Sequence, residues 1–147
     1  MSEDPPGLAA RRASDELRDL LQRYARAVDD RDLDLLESLF DPEAIIEGAR
    51  GTLGRAAWMD TMRAPRAFPV SMHVIGEPLI VLRRGAQPDG ATPDGATLDT
   101  YAIVYQLGDR AGGQADLTLG LRYLDEVVRR DGRWVFRHRT AQVLWMR

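Results

Sequence analysis

Leu17-Arg-Asp-Leu-Leu-Gln-Arg-Tyr24-Ala-Arg-Ala-Val28-Asp29-Asp30-Arg31-Asp32 is the stretch that decides how this chain is read. Leu17, Leu20, Leu21, Tyr24 and Val28 recur three and four apart, which places them in one apolar stripe along a helix. Ser14 is a suitable N-cap for it, and Asp15 and Glu16 suit the positive end of the helix dipole. The stripe runs out at Asp29. A carboxylate at a helix C-terminus is opposed by the dipole by about 0.3–1 kcal/mol. Such an acid needs a cationic partner, a capping role or a function; a solvated carboxylate in an Asp-Asp-Arg-Asp turn is the plain alternative. Asp30 reads as solvated, and Asp32 as the cap of the next helix.

Outward from this helix the elements follow in order. Residues 1–8, rich in Pro and acid, read as a disordered tail, leaving 9–147 as one domain. A short second helix is expected over Leu33 to Phe40, stopped by Asp41-Pro42. Ala44 to Ala49 reads as a strand, Gly51 to Gly54 as a turn, and Arg55 to Met62 as a third helix ended by Pro65. Strands are expected over Val70 to Ile75, Leu79 to Leu82, Leu98 to Leu107, Leu117 to Val128 and Trp134 to Trp145. The first two could form one strand bent at Gly76 and Pro78. Pro-Asp-Gly-Ala-Thr occurs twice, at 88–92 and 93–97, and reads as an exposed hairpin loop. Arg130-Asp-Gly-Arg133 is a tight hairpin turn. Trp134, Phe136 and His138 alternate with Val135, Arg137 and Arg139 and so should share a face. Helices first and strands later predict an α+β fold, a curved sheet with three N-terminal helices on one face, enclosing an apolar cavity.

Composition excludes several functions. At 147 residues, with 44% apolar and 29% charged residues, the chain suits one globular core. The net charge of -3 gives no general attraction to nucleic acid or to anionic membranes. Cysteine is absent, so disulfides, a thiol nucleophile and thiolate-bound metals are excluded. All 20 basic residues are arginine, which removes Schiff-base chemistry and the lysine of a phosphate-binding loop. The two histidines, His73 and His138, stand far apart without ligand spacing, and no metal is expected. The glycine-rich stretches do not sit between a strand and a helix, so no dinucleotide is expected either. No run approaches the ~20 apolar residues of a membrane span, and the acidic N-terminus resembles no signal peptide. The expectation is a cytoplasmic, cofactor-independent protein.

Tyr24 to Asp32, Leu39-Phe40-Asp41-Pro42-Glu43-Ala44, Gly54, Met72-His73, Gly120 to Glu126 and Asp131-Gly-Arg-Trp134 with Arg139 five on carry a family resemblance. Their order and spacing over about Leu17 to Trp145 resemble SnoaL-like proteins of the nuclear transport factor 2-like superfamily. The branch they resemble holds scytalone dehydratase and hexachlorocyclohexane dehydrochlorinase. The resemblance implies the cone fold and a pocket base in which an acid at the end of the first helix meets a strand histidine. Asp29 and His73 match that pair. There are departures: no histidine lies within Gly120 to Asp125, Val28 stands where the dehydratase has a tyrosine, and the dehydrochlorinase lysine has no counterpart.

Asp29 and His73 are therefore the expected general base, with Asp29 fixing the tautomer and the other ring nitrogen taking the proton. Arg139 is expected either to stabilise an oxyanion or to be held structurally by Asp125 or Asp29. Tyr24 could hydrogen-bond a substrate carbonyl or simply pack. Trp58, Met62 and Phe68, with Tyr123, are expected to line the cavity, ordinary core being the alternative. His138 reads as a surface or structural imidazole. The function implied is proton abstraction from a small hydrophobic, ring-containing or polyketide-like substrate, leading to elimination or isomerisation. A polyketide cyclase that mainly shapes its substrate and a non-catalytic binding or assembly module are the alternatives. Leu144-Trp145-Met146 at the chain end needs a cover, which predicts a homodimer or homotrimer.

Overall fold

The computed structural model describes residues 7–86 and 92–147. The first helix, α1, spans Leu8–Asp29, and Gly7, in the left-handed region at φ 86°, stands at its N-cap. Its cap stands seven residues before the expected Ser14 because Leu8 to Ala13 contains only good helix formers after that glycine. Leu8 is therefore helical rather than part of a tail, while residues 1–6 of the expected tail lie outside the described residues. Ala13, Leu17, Leu20, Leu21, Tyr24 and Ala27 are buried, so the apolar stripe faces the core. The helix closes with a Schellman pair: Asp32 N–H donates to Ala27 C=O (2.9 Å) and Arg31 N–H to Val28 C=O (3.3 Å). Arg31, at φ 54°, takes the left-handed position that usually falls to glycine.

α2 (Leu33–Ser38) is capped by Asp32, whose carboxylate accepts from Leu35 N–H at 3.1 Å. It ends before Phe40, which opens β1 (Phe40–Gly48) instead. The proline that was expected to stop a helix lies inside this strand. β1 runs parallel to β7 (Arg133–Met146), and the register slips between Phe40 and Ile45, around a residue with no N–H to donate. β2 (Gly51–Gly54) forms a hairpin with β1, and α3 (Arg55–Arg63) follows.

The remaining strands are β3 (Val70–Ile75), β4 (Leu79–Arg84), β5 (Pro93–Leu107) and β6 (Leu117–Arg130). The sheet order is β2-β1-β7-β6-β5-β3, with β4 also on β5. It is mixed, curved and not closed, and the helices precede most of it, as an α+β cone requires. β3 and β4 are separate strands laid end to end along β5. The break falls at Gly76, where a Cβ would come 2.9 Å from the carbonyl oxygen of Tyr101. The second Pro-Asp-Gly-Ala-Thr copy is not a loop. Pro93 to Thr97 are strand, paired to β4 and β6, with Ala96 buried. Pairing on both sides overrides the turn propensity of Asp94-Gly95. Of the first copy, residues 88–91 lie outside the described residues. Asp131 and Gly132, at φ 50° and 76°, make the β6–β7 turn as a two-residue hairpin demands.

One irregularity positions the interior. In the β6–β7 pair, Val127 faces Phe136 and Glu126 faces His138, so Arg137 is an extra residue. This bulge flips the alternation. Phe136 and Arg139 are both fully buried, while His138 turns outward to Glu47 at 2.8 Å. The expected shared face of Trp134, Phe136 and His138 therefore ends at Phe136.

Candidate active site

α1 delivers Asp29 to the start of β3. His73 Nδ1 lies 2.6 Å from Asp29 Oδ1, and the two side chains are only 9% and 14% exposed. Ser71 donates its hydroxyl to the same oxygen at 2.7 Å, and His73 N–H donates to Oδ2 at 2.8 Å. Burial pushes the Asp29 carboxyl upward, but the bonds from the His73 ring, the His73 amide and Ser71 outweigh it and hold it below the usual carboxylate range. An ionised carboxylate only accepts, so Nδ1 carries the hydrogen and Nε2 presents its lone pair. Nε2 has no hydrogen-bond partner among the described residues.

The opposition between Asp29 and the helix dipole is relieved by Arg66. Its guanidinium donates to the carbonyls of Val28 (3.1 Å) and Asp29, and to Pro69 (3.1 Å). A cation thus sits on the negative helix end and ties the loop after α3 to it.

Tyr24 lies edge-on to His73, with ring centroids 6.1 Å apart. It also meets Tyr123, Phe136 and Phe40 edge-on at 5.9 to 6.2 Å. Arg139 also packs on Tyr24. Its Cζ is 4.1 to 4.2 Å from the ring centroids of Tyr24, Tyr123 and Phe136. Arg139 binds Asp125 bidentately at 2.7 and 2.8 Å and makes no hydrogen bond to Asp29. Of its two expected partners the acid is Asp125, and among the described residues only Nη1 of this guanidinium has no hydrogen-bond partner. Burial, with Tyr24 beside it, pushes the Tyr123 hydroxyl well above its ordinary range, although Arg139 opposes this.

Trp58 is tilted against Phe40, centroids 4.8 Å apart. Met62 and Phe68 line a pocket of about 160 Å³ together with Val28, Arg66, Ser71 and Gln106. Tyr123 is 2% exposed and belongs to the packed core behind the dyad. The structure therefore joins Asp29 to His73, sets Tyr24 edge-on to His73, and places Met62 and Phe68 in one pocket with Ser71; Arg139 and Tyr123 are in the buried core, and Trp58 is half-buried against Phe40. Ser71 and Arg66 are the residues that sequence reasoning passed over. Ser71 had a signal: two residues before His73 on one strand, it shares the histidine's face. Arg66 had none, because its partners at the helix end are backbone carbonyls 37 and 38 residues away.

Among the described residues no three His, Cys, Asp or Glu side chains gather in a cluster that could hold a metal ion. No helix among them is long and apolar enough to cross a membrane.

Residues 9–140 match the family model described as SnoaL-like domain. A sequence comparison with curated proteins finds no match. Several solved structures share the fold. A protein of Novosphingobium aromaticivorans provisionally named a scytalone dehydratase is 17% identical, with a TM-score of 0.78 over 95% of this chain and 89% of that one. The hexachlorocyclohexane dehydrochlorinase LinA-type3 of Novosphingobium barchaimii is 18% identical, with a TM-score of 0.73 over 95% and 92%. A Nostoc punctiforme protein with a cystatin-like fold is 20% identical, with a TM-score of 0.68 over 87% and 88%. At these identities the likeness speaks for the fold alone.

Proposed function

The chain belongs to the SnoaL-like domain family, and from that premise we propose that it is a cofactor-independent acid–base enzyme acting on a small hydrophobic, ring-containing substrate. The observation that carries the reading is the 2.6 Å contact between His73 Nδ1 and an Asp29 kept ionised by three donors. His73 Nε2 takes a proton from a substrate carbon. The electrons of that C–H bond form the new double bond, and a leaving group on the neighbouring carbon departs with its own pair. Asp29 stabilises the imidazolium, in a site dry enough for the attraction to count. Isomerisation follows instead if the proton returns to another carbon. Ser71 keeps the Asp29 oxygens in place. Tyr24 packs on the imidazole edge, and Met62 and Phe68 supply apolar wall in the pocket that Ser71 lines.

Arg139 is fully engaged by Asp125 on one side, which favours a supporting role: a fixed positive charge behind Tyr24 and Tyr123. The second reading is a polyketide cyclase in which the cone mainly shapes the chain for ring closure and the acid–base part is smaller. A non-catalytic ligand carrier would use the same walls without the base. Turnover of a panel of ring substrates by Asp29→Asn and His73→Ala separates them. Proton abstraction predicts losses of ~100-fold or more in both variants. Losses of only a few-fold would favour shaping, and the absence of any turnover in the parent protein would favour the carrier.

We also propose that the protein is a homo-oligomer. Val70, Met72 and Val74 on β3 stand opposite Leu107, Tyr105 and Ile103 on β5, all on the outer sheet face and all at least one-third exposed. Trp145 lies over Gly120 beside them. A second copy of the same face would cover this apolar strip.

A further inference from the structure

The pocket that Ser71 lines is positively charged. Arg31, Arg50 and Arg66 line it with Met62, Phe68 and Ser71, and no carboxylate does. This happens in a chain whose 23 acidic residues outnumber its 20 arginines. None of the three arginines has a carboxylate partner among the described residues. Arg66 spends its donors on Val28, Asp29 and Pro69, and Arg31 spends one on Ala64. Among the described residues Arg50 makes no hydrogen bond, so it and the remaining donors of Arg31 are open to a ligand. Arg31 also holds the left-handed turn position that glycine takes at no cost. A strained arginine is kept where the default residue would serve the fold better, which points to its guanidinium having a use.

Resting on the acid–base reading of this site, we propose that the substrate is an apolar molecule carrying one carboxylate. Arg31 and Arg50 hold the carboxylate at the rim, and its apolar body lies on Met62 and Phe68 toward Ser71 and the dyad. The orientation follows from charge. A carboxylate beside ionised Asp29 would be repelled, whereas the arginine end of the pocket attracts it. A monoanion is the better match because Arg66 is spent on the carbonyl end of α1 at Val28 and Asp29, which leaves Arg31 and Arg50 for the ligand. Binding energy from this remote group orients the reacting carbon at His73.

The test measures binding of 3-phenylpropionate, 3-phenylpropanamide and 2-phenylethyl phosphate by calorimetry, at about 0.01 M and about 1 M salt. The acid is expected to bind roughly five- to tenfold tighter than the amide at low salt, and the preference should shrink at high salt. Arg31→Gly and Arg50→Gln together should abolish the preference. Arg31→Gly suits the backbone at φ 54°, so loss of binding there is not loss of fold. Equal binding of acid and amide, or a preference that survives both substitutions, overturns the proposal. Tightest binding of the phosphate overturns the monoanion assignment. The two proposals fail separately. An acid preference kept in His73→Ala with turnover undiminished leaves this site standing and removes the base. Turnover lost in His73→Ala without any acid preference does the reverse.

Discussion

Asp29 accepts three hydrogen bonds on two oxygens while standing at the negative end of a helix. Arg66, on the adjoining carbonyls, makes that placement tolerable. Because the folded carboxyl is held below its ordinary value, its contribution to stability is present above about pH 4 and is lost as the pH falls through the folded value. Asp29→Asn should therefore lower stability by about 1–2 kcal/mol at pH 7, and the gap to the parent should narrow as the pH falls below about 4. Denaturant titrations at several pH values measure this. A gap that stays constant with pH would mean that Asp29 is not ionised against these donors. Asp29 and His73 were legible as a pair through family resemblance, and Ser71 through strand alternation. Arg66 was not legible, since a bond to a distant backbone carbonyl leaves no trace in residue type.

At the scale of elements, the bulge at Arg137 decides what Arg139 does. Strict alternation would send Phe136 and Arg139 to opposite faces; the extra residue sends both inward. The buried guanidinium then needs Asp125 on the neighbouring strand, its direct partner in register. Arg139→Met leaves Asp125 charged in the core and should cost about 3–5 kcal/mol, whereas Arg139→Met with Asp125→Leu should recover most of it. Thermal and denaturant unfolding of the single and double variants decides this, and equal losses in both would assign Arg139 no pairing role. Hairpin chemistry at Asp131-Gly132 was readable from two residues. The strand character of Pro93 to Thr97 was not. Turn-forming residues became strand only because β4 and β6 flank them.

At the scale of the molecule, the helices cover one face of the sheet and leave the other with a row of large apolar side chains. Met72 is 52% exposed and Tyr105, opposite it, 37%. Light scattering on the eluting protein should give a dimer or trimer, and Met72→Lys with Tyr105→Lys should shift it to monomer without unfolding it. A monomeric parent protein would remove the proposed contact.

The helical stripe, the helix-then-strand order and the Asp-Gly turn were determined by the sequence itself, because periodicity and turn chemistry are local properties. Only the tertiary structure decided that Asp29 meets Ser71 and His73, that Arg66 caps the helix end, that Arg139 is buried on Asp125, and that three arginines line one pocket. Those contacts join residues 14 to 44 positions apart. Their distances depend on how β3 docks on α1 and where β7 bulges, and neither packing nor a shift of register is encoded in any single stretch of chain.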